Sequence, residues 1–134
     1  MQEFVETVDL APTILEWVGG TPPTAFDGNS LLPFLAGNTP TGWRDHVFME
    51  LEFGKPENPT VVERQLGLSL LEANAAILRE ERWKYVHFNG GLPPLLFDLE
   101  ADPTEIKNLA GDPRYEKELS RLSRRMSDQP SLTP

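Results

Sequence analysis

The chain has 134 residues, 39% hydrophobic and 25% charged, a composition that suits one ordinary domain with a core of its own and excludes a disordered tail. Twelve basic residues against 21 acidic ones give a formal net charge of −9, which repels phosphate backbones and anionic lipid surfaces, so neither nucleic acid nor a membrane is expected as a partner. With no cysteine there are no disulfides, thiolate nucleophiles or thiolate metal ligands; the compartment stays open, with the cytoplasm marginally favoured, and no apolar run approaches membrane-spanning length.

In chain order, residues 1–8 carry neither the basic end nor the apolar centre of a signal peptide. Residues 9–20 predict a helix with Asp9 as cap, Pro12 in the first turn and Gly19-Gly20 as terminator. Its apolar surface is broad: Leu10, Ile14 and Trp17 make one stripe, and Ala11, Leu15 and Val18 make another beside it. An arc of that width needs a cover. Leu10, Ile14, Trp17 and Val18 are therefore the candidate interface residues. Asp27-Gly28 then predicts a turn, Ser30 a cap, and the following residues a short helix stopped by Gly37.

Residues 46–53 alternate Val47, Met49, Leu51 and Phe53 with Phe48, Glu50 and Glu52, the period of a strand with one polar face. Glu50 and Glu52 are expected to face solvent, the alternative being a paired-carboxylate site. Residues 54–72 read as a loop with at most one weak helical turn. Two strands, 74–79 and 83–88, predict an antiparallel hairpin turning at Glu80-Glu81, and a third follows at 95–99. Asp102-Pro103 with Glu105 predicts a brief helical turn that Gly111 ends. Asp112-Pro113 starts a longer helix whose Tyr115, Leu119, Leu122 and Met126 share one face. The expected fold class is α+β: a small four-stranded antiparallel sheet with a C-terminal helix packed on one face, preceded by helices.

Catalytic chemistry is not visible in this pattern. His46 and His87 are far apart, and neither has a carboxylate or second histidine at metal-ligand spacing, so each reads as a strand residue. The glycine pairs at Gly19 and Gly90 lack the lysine or following helix of a phosphate cradle. Arg121, Arg124 and Arg125 most simply complement the dipole of the last helix. Catalytic, metal and cofactor-binding residues are accordingly expected to be none.

Three strings carry a resemblance. Val8-Asp9-Leu10-Ala11-Pro12-Thr13-Ile14-Leu15, then Asp27-Gly28-Asn29-Ser30-Leu31-Leu32-Pro33, then Phe97-Asp98-Leu99 through Asp102-Pro103, Glu105 and Asn108-Leu109-Ala110 occur in the order seen in sulfatases and related members of the alkaline-phosphatase-like superfamily. The stretch from Trp83 to Phe88 with the following Leu92-Pro93-Pro94 resembles the phosphonate monoester hydrolase branch. The resemblance implies that residues 1–45 are the helical end of an α/β catalytic domain and residues 46–134 a C-terminal α+β subdomain. It also implies a parent that hydrolyses sulfuric esters, phosphonate monoesters or phosphodiesters with a divalent metal cation and, as nucleophile, either a hydrated formylglycine or a hydroxyl. The family's nucleophile string and metal ligands are absent from this sequence, so the chain alone is expected to be inactive. Its expected partner is the missing N-terminal catalytic portion, or a second copy through the first helix. The alternative reading is a non-catalytic binding or assembly module derived from that subdomain.

Overall fold

The computed structural model describes residues 3–129. The chain divides into two compact units, Met1–Val47 and Phe48–Pro134.

In the first unit a 3-10 turn, Thr7–Asp9, leads directly into helix α1, Leu10–Trp17, and a second short helix, α2, spans Leu32–Leu35. Gly19, at φ 85°, takes the left-handed conformation that closes α1. Asp9 stands at the expected start of the helix but makes no side-chain cap bond, because its carboxylate is engaged elsewhere. Ser30 behaves more nearly as expected: its hydroxyl accepts from the Leu32 N–H at 3.3 Å, while Leu31 occupies the cap position of α2. Phe34 and Trp43 meet edge to face with centroids 4.7 Å apart, and the Trp43 indole N–H donates to the Phe4 carbonyl at 2.8 Å.

The second unit carries the sheet. Strands β1, His46–Glu52, β2, Asn74–Glu80, β3, Trp83–Phe88, and β4, Leu95–Asp98, lie in that spatial order, with β2–β3 and β3–β4 antiparallel. Helix α4, Glu116–Ser127, enters through a 3-10 turn at Pro113–Tyr115 that Asp112 caps by accepting from the Arg114 N–H. Its stripe falls where the 3.6-residue period puts it: Leu122 and Met126 are buried against Leu78, Tyr85, Leu96 and Leu109, with Tyr115 and Leu119 packed at the margin. Leu78, Leu96 and Leu122 are fully buried, each contributing about 1.5–3 kcal/mol of apolar transfer.

Four expectations need correction here. The helix-facing residue of β1 is Phe48, which packs on the core, while Met49 and Leu51 are exposed; the apolar count of the strand pointed to the wrong face. No helix follows Asp102. Its carboxylate reaches past the first turn to the Lys107 N–H at 2.8 Å, and Glu105 sits at φ 56°, so the segment runs as a series of turns. Residues Val61–Leu66 form a helix, α3, longer than the one weak turn allowed for in that stretch, held by a reciprocal pair between Thr60 and Glu63 and closed by Gly67 at φ 67°. Finally, Arg121 and Arg125 do more than face a dipole. Both reach Glu80 on β2, Arg121 as a fork at 2.9 and 2.5 Å, which ties α4 to the strand beneath it.

Candidate functional site

The buried carboxylate of the first unit belongs to Asp9. It is 0% exposed and lies where the 3-10 turn meets α1. Its Oδ2 accepts from the Glu6 N–H at 2.8 Å, its Oδ1 from the Asn29 N–H at 2.9 Å, and Arg44 closes on both oxygens at 2.5 and 2.7 Å. Burial by itself raises the pKa of this group, but the Arg44 hydrogen bond, the two backbone N–H groups and the Arg44 charge together hold it below the usual carboxylate value. Asp9 raises the pKa of Arg44 in return, chiefly through that hydrogen bond.

One turn along α1, the Thr13 hydroxyl donates to the Asp9 carbonyl at 2.5 Å and accepts from the Leu31 N–H at 2.8 Å. Gly28 lies so close beneath that a Cβ there would collide with the Val8 carbonyl. The Val8-to-Leu15 string and the Asp27-to-Pro33 string are therefore two halves of one lock: Asp9 receives Asn29, Thr13 receives Leu31, and Gly28 makes the close approach possible. A carboxylate with four donors has no lone pair left for a metal or a substrate proton.

The third string is also structural. Asp98 is buried and receives the Arg82 guanidinium at 3.1 and 2.8 Å. That hydrogen bond, with the Glu100 and Ala101 N–H groups and the Arg82 charge, outweighs burial and lowers its pKa. Lys84 pairs with Glu105 at 2.5 Å. Asn108 Oδ1 accepts from the Leu96 N–H at 3.0 Å, and the Leu109 N–H donates to the Leu96 carbonyl at 2.8 Å, so these residues occupy the outer edge of β4.

Neither histidine gains a metal partner set. His46 Nδ1 lies 2.9 Å from an Asp45 oxygen, His87 is exposed near the end of β3 on the side that carries Tyr85, and among the described residues no group of three His, Cys, Asp or Glu side chains is placed to hold a metal ion. Glu50 and Glu52 are exposed at the end of β1. Of the candidate interface residues, Leu10 is 51% exposed, Ile14 57%, Trp17 76% and Val18 71%. Ala11 is exposed as well, whereas Leu15 is half-buried and folds back against Gly20.

Sequence reasoning missed Arg44, which sits 35 residues from Asp9 and gives no local sign of the pairing. It also missed Glu63, although Thr60-x-x-Glu63 is a readable capping signal. Backbone hydrogen bonding, first to Thr60 and then to Lys55, lowers the pKa of that buried glutamate against the effect of desolvation.

Residues 1–131 match the family model described as N-sulphoglucosamine sulphohydrolase, C-terminal. The chain is 47% identical over 117 residues to the multifunctional alkaline phosphatase superfamily protein PehA of Trinickia caryophylli, covering 84% of this chain and 21% of that protein. It is 30% identical over 132 residues to arylsulfatase K of Xenopus laevis, covering 96% and 23%. The phosphonate monoester hydrolase SpPMH of Silicibacter pomeroyi has the same fold at a TM-score of 0.82 and 45% identity, over 89% of this chain and 23% of that one. The phosphonate monoester hydrolase of Agrobacterium radiobacter follows at 0.81 and 40%, over 93% and 24%. The chain thus spans 21% to 24% of the length of these relatives.

Proposed function

We propose, since this chain belongs to the sulphohydrolase C-terminal family, that it forms the C-terminal part of a metal-dependent hydrolase of phosphonate monoesters or phosphodiesters, with sulfuric esters as the related substrate class. The observation that carries the choice of substrate is the 45% and 40% identity to two phosphonate monoester hydrolases, against 30% to arylsulfatase K. In this reading the divalent cation and a formylglycine nucleophile belong to a preceding catalytic portion. The residues of this chain do not fit that centre: its buried acid, Asp9, has both oxygens taken, and no metal-holding group of three is found among the described residues.

The role of this chain is then to complete the parent and to dock on it through α1. Leu10, Ile14, Trp17 and Val18 form a contiguous apolar face held rigid from behind by the Asp9 lock, which is the behaviour of an interface. With the catalytic portion absent, the same face pairs with a second copy about a two-fold axis. Light scattering of the isolated chain should therefore show a dimer, and replacing Ile14 by Glu together with Trp17 by Lys should return a monomer with its sheet intact.

The decisive experiment compares the isolated chain with the protein extended by its upstream coding segment. Aryl phosphonate, bis(p-nitrophenyl) phosphate and p-nitrophenyl sulfate are offered with Mn²⁺ or Zn²⁺. The longer protein should turn over the phosphonate and diester and lose this activity to a chelator, while the isolated chain is silent. Turnover by the isolated chain overturns the reading, as does a longer protein with no metal-dependent esterase activity.

A further inference from the structure

Strand β3 ends in Asn89-Gly90-Gly91, which carries the chain away from the sheet. Of the six asparagines in the chain, Asn89 alone precedes a glycine. That pairing has a chemistry of its own. Glycine has no Cβ, so its backbone nitrogen can approach the side-chain carbon of the residue before it and close a succinimide ring. Asn38 and Asn108 meet Thr39 and Leu109, whose side chains crowd that approach, and Asn58 precedes Pro59, which has no N–H to give up.

The surroundings leave the dipeptide open to this reaction. Asn89 is exposed, and among the described residues the Gly90 N–H donates to nothing, so the nucleophile has no hydrogen bond to break first. A larger residue at position 90 is not accommodated: a Cβ there would lie 2.9 Å from the Glu72 carbonyl oxygen and 2.7 Å from Leu68 Cδ2. Packing fixes the glycine, and the glycine exposes the asparagine to attack.

The bonds that the Asn89 amide makes show what its loss changes. Asn89 Nδ2 donates to Asn74 Oδ1, and Asn74 Nδ2 donates to the Leu71 carbonyl at 2.7 Å. A carboxylate at position 89 sets acceptor against acceptor, and Asn74 can turn its amide to meet it only by releasing Leu71. Asn74 and Asn89 also line a depression of about 330 Å³ with Glu50 and Glu52, so the new charge arrives beside two carboxylates.

We propose that Asn89 is a site of spontaneous covalent modification in the folded chain, independent of the hydrolytic function assigned above. The Gly90 nitrogen bonds to Asn89 Cγ and gives up its proton, the Cγ–Nδ2 bond breaks, and ammonia leaves with that proton. Water then opens the succinimide at either carbonyl, giving aspartate where the new bond breaks and isoaspartate where the original peptide bond breaks. Isoaspartate lengthens the backbone by a methylene next to the point where the Asn89 N–H donates to the Asn74 carbonyl at 3.3 Å. Either product loosens the segment from Leu68 to Ala73 from the end of the β2–β3 ladder.

Ageing the folded 134-residue chain in mildly alkaline buffer tests this, with peptide mass spectrometry as the readout. The peptide holding Asn89 should gain the mass of an amide-to-acid exchange before those holding Asn29, Asn38, Asn58, Asn74 or Asn108, and should contain isoaspartate as well as aspartate. The mass gain separates it from Asp27-Gly28, where the same ring isomerises an existing acid without changing its mass. Chymotryptic cleavage between Gly67 and Ala73 should quicken in the aged chain and, without ageing, in Asn89→Asp. Asn89→Gln, which moves the amide carbon out of reach, should show neither change. Another asparagine converting first, aspartate formed without isoaspartate, or an Asn89 that keeps its amide in the folded chain while the urea-unfolded chain loses it overturns the proposal. So does equal cleavage of Asn89→Asp and the unmodified chain.

Discussion

The two units of the chain are held by opposite means. In Phe48–Pro134 the centre is apolar: Leu78, Leu96 and Leu122 are sealed off, and charged groups such as Glu80 and Arg121 brace the rim. In Met1–Val47 the sealed groups are Asp9 and Pro12, a charge and a ring, while Leu10, Ile14, Trp17 and Val18 face outward. A segment that stabilised itself by burying its own hydrophobes would have none to offer. By using a saturated ion pair as its fixed point, the first unit keeps a rigid helix whose apolar face remains available.

That contrast can be broken from either side. The largest effect is expected for Leu122→Asp, which places an unpaired charge under α4 with no group to meet it; the second unit should lose its cooperative melting altogether. Asp9→Ala comes next. It strands Arg44 and two backbone donors, and a cost of about 3–5 kcal/mol should fall on the first unit, seen as fast hydrogen exchange at Glu6 and Asn29 with the amides of β2 and β3 unchanged.

A smaller effect separates the two kinds of bracing by pH. Desolvation raises the Glu80 pKa, but the hydrogen bonds from Arg121 and Arg125 and their charges bring it below the ordinary value of 4.5. A depressed folded-state pKa means that its stabilisation is fully present above the unfolded value and is lost as pH falls through the folded one. Melting temperature should therefore be flat near neutrality and decline below about pH 4.5, and Glu80→Gln should reduce that decline while lowering the plateau. The smallest change is Thr60→Ala. It removes one oxygen from the cap of α3 and should cost about 1 kcal/mol, confined to faster proteolysis between Lys55 and Leu66.

Legibility followed the range of the determining contact. The stripe of α4, the β2–β3 hairpin, whose turn falls one residue later than expected at Glu81-Arg82, and the closing glycines of α1 and α2 are written within a few residues, and the sequence shows them. Asp9 looked like a helix cap because a cap and a buried ion-pair partner have the same residue type at the same place; Arg44 made the difference from 35 residues away. Asp102-Pro103-x-Glu105 had every mark of a helix start, yet Glu105 reached Lys84 on β3 and Asn108 reached Leu96 on β4, and these tertiary bonds pulled the segment out of helical geometry. The inversion of β1 has the same origin, since only the position of α4 decides which face Phe48 must serve. Glu63 is the exception: its capping signal was local and present.

One detail of β4 bears on how copies of this chain can assemble. Leu96 gives its N–H to Asn108 and its carbonyl to Leu109, so this border of the sheet is already occupied by the chain's own loop. A neighbouring strand finds no free row of donors and acceptors there. Two molecules that met along β1 would each turn a closed border outward, and a third could not be added. Growth by strand addition is thus terminated after a single step, and the sheet of a net −9 protein is spared the endless ribbon that an open border at both ends permits.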